Sequence, residues 1–424
     1  MPSMEYVENL FSNGKHFCVL PWIHLHVTPL GYMSLCALQS EGADSKAYGS
    51  LNEHSFHELW QGEGIRKFRL KMLADEMDER CVNCYTGQNS FRTFFNASSR
   101  KHMDWVADTD ERGYAPQAKP LLWDIRFSNL CNLRCRSCNS RFSSSWSQEE
   151  KALNAVLGIP DRPQECEAVR GLKNSAELLK DLEPYYPHLA TIYFAGGEPL
   201  LYRENLMILE KLDALEKYDV PLIFNTNFTQ IAKNRRFLDL WKKFTKLTFW
   251  VSLDGSARQC EYLRKGLFWE DIIRNLDLLK GECPQADIII KYTASAFNIL
   301  HLPDFHREMT GRHLRADKIN FNILHIPNHY SMRILPDEMK QQATRKIYEH
   351  LEWLMGQEPF VHIQDKNDKT IREFAGQWQV LIDYMNSENW THLIPQFLEY
   401  TQRIDDLRQE NCLKVFPELA PIFG

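Results

Sequence analysis

At 424 residues the chain is long enough for two or three domains with a substantial core, and its 44% hydrophobic content is ordinary for a globular protein. A net charge of −6 at pH 7 argues against extensive nucleic-acid interaction, and no run of 18 apolar residues is present to span a membrane. Eleven cysteines in so long a chain suit metal ligation better than a secreted disulfide scaffold; with a start, Met1-Pro-Ser-Met-Glu5, that carries no basic and hydrophobic leader, the expectation is a soluble cytoplasmic protein.

The N-terminal part carries one cysteine code. Cys18 is followed by twelve residues, Gly31, four more residues and Cys36, and a Cys81-Val-Asn-Cys84 pair comes later. The alternating runs Ile23–Val27 and Tyr32–Leu35, separated by Thr28-Pro-Leu-Gly31, predict a small hairpin with Cys18 and Cys36 at its ends. Four sulfurs can close the four corners of an iron–sulfur cube or surround one zinc tetrahedrally. His24 and His26 read as surface or core residues of the hairpin. Residues 86–119 are polar and mixed, with little hydrophobic period, and read as a connector.

A second code follows the strand-like run Leu121–Phe127: Cys131-Asn-Leu-Arg-Cys135-Arg-Ser-Cys138. Three thiolates at this spacing can hold three irons of a [4Fe–4S] cube and leave the fourth iron open, or contribute to a zinc site completed from elsewhere. Next comes the strand Thr191–Ala195, then Gly196-Gly197-Glu198-Pro199 and a helical pattern over Leu201–Tyr218. Glycines at a strand end let backbone approach a ligand, and Pro199 sets the entry to the helix. Two further apolar runs end in Asn225-Thr226-Asn227 and in Ser252-Leu-Asp254-Gly255, residues that also cap helices. Altogether, strands are predicted near 121–127, 191–195, 221–225, 246–252, 286–292 and 318–324. Helices are predicted near 144–157, 172–184, 201–218, 230–242, 269–280 and 298–309. This alternation predicts a parallel sheet covered by helices, whether a barrel or an open doubly wound sheet.

The CX3CX2C loop at the end of the first strand and the Gly196–Pro199 stretch resemble the signature of the radical S-adenosylmethionine (radical SAM) superfamily. That resemblance implies an α/β fold built on a partial (β/α)6 barrel, with a [4Fe–4S] cluster on Cys131, Cys135 and Cys138 whose open iron chelates SAM. It also implies SAM contacts at Gly196, Gly197, Glu198, Pro199, Thr226, Asn227 and Ser252. The implied reaction is reductive cleavage of SAM to methionine and a 5'-deoxyadenosyl radical, fed by a low-potential donor such as flavodoxin or ferredoxin. The N-terminal code, with Cys18-Val-Leu-Pro-Trp22 and Phe56-His-Glu-Leu-Trp60, resembles the twitch module, a shortened SPASM domain, and implies an auxiliary [4Fe–4S] cluster on Cys18, Cys36, Cys81 and Cys84. Such modules normally follow the barrel, whereas this one precedes it. By analogy with twitch and SPASM relatives the substrate is a peptide or protein side chain; the alternatives are a small metabolite, or a non-catalytic iron–sulfur or zinc scaffold or electron-transfer protein.

The expected division is 1–90 for the twitch-like hairpin and helix module, 91–119 for the connector, 120–327 for the barrel and 328–424 for a helical C-terminal extension. In that extension Trp353, Leu354, Trp378, Leu381, Trp390 and Phe397 read mainly as core. Thr401–Arg408 and Phe416–Ala420 resemble the end of radical SAM proteins with an N-terminal twitch module. Outside the two codes stand Cys166, Cys260, Cys283 and Cys412, which read as packed thiols. Cys260 is also a candidate hydrogen-atom donor near the barrel mouth, and Asp254 a candidate acid or base against the alternative of a helix cap.

Overall fold

Along Leu247–Ser252 and Asp287–Ala294 every second side chain is buried, the period-two signature of strands covered on one face. The computed structural model describes residues 1–39, 48–85, 91–158, 169–312, 314–355 and 371–424. Cys166 lies outside them. Ten strands are present among these residues: β1 (His24–Val27), β2 (Met33–Ser34), β3 (Leu122–Ile125), β4 (Arg134–Cys135), β5 (Thr191–Phe194), β6 (Leu222–Thr226), β7 (Leu247–Ser252), β8 (Arg264–Lys265), β9 (Asp287–Ala294) and β10 (Ile319–Ile323). Eight of them make one mainly parallel sheet; β4 and β8 pair separately. All six predicted barrel strands are found, each within two residues of its expected bounds, and helices alternate with them, so the fold class is α/β as expected.

The chain divides into two compact units, one of Met1–Cys131, Val169–Phe224 and Asp239–Leu247, the other of Asn132–Ala168, Asn225–Leu238 and Thr248–Gly424. In the first unit β6 pairs with β5, β5 with β3, and β3 with β1, all parallel, while β1 and β2 form the predicted antiparallel hairpin. The N-terminal hairpin is thus a continuation of the sheet, His26 lying opposite Asp124 in the β1–β3 register. Phe194 stacks on Phe224, and Trp123 packs edge-on to Tyr186 of the Glu183–His188 turn, which fixes the covered face. Residues 91–119 are more structured than a connector: helices Phe91–Ser98 and Met103–Ala107 pack against the first helix, Met4–Asn13.

In the second unit β7, β9 and β10 run parallel, with Ser252 opposite Lys291 and Lys291 opposite Asn320. Tyr292 packs on Phe305, and Phe321 on Trp378, so the alternate residues Lys291 and Asn320 lie on the other face. The C-terminal helices Asp337–Met355, Ile371–Asn386 and Ile394–Arg408 match the predicted extension. Leu354, Trp378, Leu381 and Phe397 are buried, as read from the sequence, whereas Trp353 and Trp390 are half-exposed.

Candidate functional site

The four N-terminal cysteines are brought together in the first unit, and the polypeptide around each is fixed by named side chains. Before Cys18, the Asp75 carboxylate accepts the backbone N–H groups of Lys15, His16 and Phe17 at 2.7–2.9 Å. Asn96 straddles Cys18, accepting from Val19 N at 2.9 Å and donating to the Phe17 carbonyl at 2.9 Å. Around Cys36 the Gln39 Oε1 accepts from Ser34 Oγ and Leu35 N, and His24 Nδ1 donates to the Leu35 carbonyl at 2.7 Å. Cys81 ends the turn begun by Asp78, whose carboxylate caps Arg80 N and pairs with Lys71 and Arg80, and Cys84 lies on the short helix Val82–Tyr85 that follows.

Burial pushes the Cys18 thiol well above its ordinary range, and the nearby Cys36, Cys81 and Cys84 push it further. Burial likewise raises Cys36 to about 11 and Cys81 to about 12. Ionising Cys18, Cys36 or Cys81 is thus opposed by burial and by the neighbouring cysteines, and thiolates gathered there call for the compensating positive charge that an iron–sulfur cluster would supply. Among the described residues no group of three or more His, Cys, Asp or Glu is gathered as a site for a single metal ion. A [4Fe–4S] cube asks for one thiolate on each of several irons.

The second cysteine loop begins in the first unit. Two glycines of the turn after β5 lie against its base: a Cβ on Gly197 would stand 2.2 Å from the Leu130 carbonyl oxygen, and Gly196 has φ +126°, a conformation glycine favours. Glu198 N donates to the Leu130 carbonyl at 2.8 Å. Tyr202 completes this clasp, its hydroxyl donating to the Ser128 carbonyl at 2.5 Å and accepting from Gly197 N at 2.7 Å. Glu198 is buried and caps the Pro199–Leu201 turn by accepting from Leu200 N. The glycines therefore make room for the segment that carries Cys131. From the sequence they read as a strand-to-helix turn with room for a ligand, without indicating this segment as the neighbour.

In the second unit Cys135 lies on β4, opposite Arg264 of β8, and Arg264 Nη1 donates to Cys135 Sγ at 3.8 Å. Burial raises the Cys135 thiol while the Arg264 charge pulls it down. Trp146 Nε1 donates to the Cys135 carbonyl at 2.8 Å, and Ser143 Oγ to the Leu133 carbonyl at 2.6 Å. Asn132, inside the cysteine loop, donates to Thr229 Oγ1 at 2.8 Å and accepts from Asn227 Nδ2 at 3.0 Å. Thr226 Oγ1 accepts from Phe228 N, and Ser252 Oγ donates to Asn225 Oδ1 at 3.4 Å. Thr226 and Asn227 thus both shape a turn, and Asn227 also reaches the cysteine loop.

Asp254 is buried and engaged: its carboxylate takes Arg264 at 2.9 and 3.0 Å and the Thr293 N–H at 2.9 Å. Cys260 is fully buried, and burial pushes its thiol up to about 12. Cys283 and Cys412 are buried thiols, as expected. Arg264, Tyr202, Asp75 and Asn96 escaped the sequence reading. Of these only Tyr202 had a local signal, closing Gly196-Gly-Glu-Pro-Leu-Leu-Tyr202. His26 is a buried core residue, its Nδ1 at 2.9 Å from Asp124, which also pairs with Arg126.

The profile of the radical SAM superfamily matches residues 125–309, and that of SPASM, an iron–sulfur cluster-binding domain, matches residues 18–85. Residues 125–309 form a radical SAM domain. The SPASM domain precedes it, in the order anticipated from the cysteine codes. A radical SAM domain implies SAM and a [4Fe–4S] cluster, and a SPASM domain implies an auxiliary iron–sulfur cluster. Among solved structures, native anSMEcpe with bound AdoMet is similar at 19% identity and a TM-score of 0.37, covering 53% of this chain and 59% of that one. Streptococcus suis SuiB bound to its precursor peptide SuiA is similar at 14% identity and a TM-score of 0.38, covering 80% of this chain and 70% of that one. No curated protein matches. Among the described residues no helix is long and apolar enough to cross a membrane.

Proposed function

We propose that this chain reductively cleaves SAM at a [4Fe–4S] cluster held by Cys131, Cys135 and Cys138, and uses the resulting radical to take a hydrogen atom from a peptide or protein side chain. The observation that carries the reading is the three-thiol loop itself, placed after β3 inside the radical SAM match and held from below by the Gly196–Tyr202 clasp. Cys131, Cys135 and Cys138 would hold the cluster, which would supply the one electron needed for reductive cleavage of SAM to methionine and the 5'-deoxyadenosyl radical. The chain's own part is to place and shield. Gly197 and Tyr202 set the height of the loop; Gly196, Gly197, Glu198, Pro199, Thr226, Asn227 and Ser252 are the proposed SAM contacts. Asp254 holds Arg264, which reaches the Cys135 sulfur. With its carboxylate so engaged, Asp254 reads as a positioning residue, and Cys260 as a packed thiol.

Ahead of the barrel, Cys18, Cys36, Cys81 and Cys84 are the proposed ligands of the auxiliary cluster, completing four-thiolate ligation. Substrate would meet the open face of the sheet, where half-exposed Lys291 donates to Asn320 at 3.1 Å and lies over the Trp250 ring at 4.4 Å. A low-potential flavodoxin or ferredoxin is the proposed electron source, and the cytoplasm the proposed location. The test is anaerobic reconstitution followed by mass spectrometry for 5'-deoxyadenosine with candidate peptides. A deuterated peptide should pass its label to 5'-deoxyadenosine; product that stays unlabelled with peptides and labels only from a small metabolite would reject the peptide reading.

A further inference from the structure

We propose that the C-terminal segment Ile394–Cys412, beyond both matched regions, is a working part of the SAM-cluster site: Asp405 and Glu410 are positioning residues that fix the cysteine loop through Arg136. The inference rests on Cys131, Cys135 and Cys138 being the cluster ligands.

Arg136 stands between two of those cysteines, yet its side chain is 1% exposed. An arginine cannot be neutralised at ordinary pH, so burying it demands carboxylates and aligned acceptors. They come from the far end of the chain. Nη2 donates to Asp405 Oδ1 at 2.5 Å and to Glu410 Oε2 at 2.9 Å, Nε donates to the Tyr262 carbonyl at 3.3 Å, and the guanidinium stacks 3.7 Å over the Tyr262 ring. Asp405 is itself oriented by Tyr262 Oη at 2.8 Å and by the Cys412 N–H at 2.7 Å. Glu410 also accepts from Lys265 Nζ at 2.9 Å, and Lys265 is the register partner of Arg134.

A second grip comes from Arg408, on the same face of the helix as Ile404 and Asp405. Its Nη2 donates to the Arg134 carbonyl at 2.7 Å and to Glu149 Oε2 at 2.8 Å. Its guanidinium covers Trp146 at 4.9 Å, the same indole that donates to the Cys135 carbonyl. Residues 134, 135 and 136 of the loop are therefore each held, directly or through one side chain, by the C-terminal helix and the turn after it. Packing accompanies the charges: Trp146, Leu153 and Ile404 form a buried cluster against which Cys138 and Tyr400 pack. Groups that orient metal ligands from behind typically contribute 10–100-fold in metal affinity, and charge and hydrogen bonds around a cluster tune its potential.

The experiment uses full-length, reconstituted protein with both clusters, challenged anaerobically with an iron chelator and followed by electron paramagnetic resonance with and without SAM. In Glu410→Gln and Asp405→Asn the SAM-responsive cluster should lose iron about tenfold faster than in the wild type. Its SAM-bound signal should also shift, while the auxiliary signal in the same molecule keeps its wild-type rate. Glu410→Asp, which retains the charge, should recover part of the difference. Glu410 is the outermost member of the network, so its variant tests the proposal even where Asp405→Asn does not fold. Wild-type iron retention and signal in Glu410→Gln would overturn the proposal, and so would parallel loss of both clusters, the mark of general destabilisation. A wild-type protein whose signals ignore SAM would instead overturn the ligand reading, and this inference with it.

Discussion

Replacing Gly197 by alanine adds one methyl group and asks whether the clasp beneath the cysteine loop matters. The added Cβ would stand 2.2 Å from the Leu130 oxygen, 2.7 Å from its carbonyl carbon and 2.8 Å from the Asn129 carbonyl carbon. All three are backbone atoms, so no side chain can swing aside. Restoring ordinary contact requires the turn and the Asn129–Leu130 segment to part by about 1 Å. That opening breaks the 2.8 Å bond from Glu198 N to Leu130, a net loss of about 1 kcal/mol, and displaces Cys131, one residue on. A 1 Å misplacement costs about 10²-fold in turnover where reacting groups must be aligned, so 5'-deoxyadenosine formation should fall by about that factor. Auxiliary iron content should not change. Gly281→Ala is the control: nothing lies within 4 Å of its added Cβ, and in the helix Trp269–Glu282 it should stabilise by up to about 1 kcal/mol. Anaerobic SAM titration and product analysis on both variants make the comparison. Gly197→Ala with wild-type SAM affinity and rate would show that the clasp does not position the cysteine loop.

Alanine at any one of Cys131, Cys135 or Cys138 should abolish reductive SAM cleavage, measured as 5'-deoxyadenosine; undiminished product would remove that cysteine from the ligand set. Removing all three should leave about four irons per chain on Cys18, Cys36, Cys81 and Cys84, the content of one cube, whereas a single tightly bound zinc and no iron would mark those four as a structural knuckle. Asp254→Asn leaves the buried Arg264 without its carboxylate and should lower unfolding stability by about 3–5 kcal/mol in denaturant titration; unchanged stability together with lost turnover would return Asp254 to an acid–base role.

The strands and the cysteine loop were legible because their signals are local. Alternation in Leu247–Ser252 and Asp287–Ala294 survives into the structure as alternate burial, and the cysteine spacing needs nothing beyond eight consecutive residues. The hairpin too was legible, but its place was not: β1 joins β3 in parallel across nearly a hundred residues, and no period in either segment encodes that register. The same limit hid Arg136. Read along the chain it is one more charge between cysteines, and its meaning comes from Asp405, 269 positions away. Gly197 shows a subtler gap, since the sequence told that backbone must come close there but not that the approaching backbone is Leu130.

The most direct measurement is anaerobic incubation of the reconstituted, dithionite-reduced protein with SAM, following 5'-deoxyadenosine by mass spectrometry and the reduced cluster by electron paramagnetic resonance. The expected result is formation of 5'-deoxyadenosine and methionine, and a cluster signal that shifts on adding SAM in the wild type but not in the variant lacking Cys131, Cys135 and Cys138. A fully loaded protein that leaves SAM intact, with a signal indifferent to its addition, would contradict it.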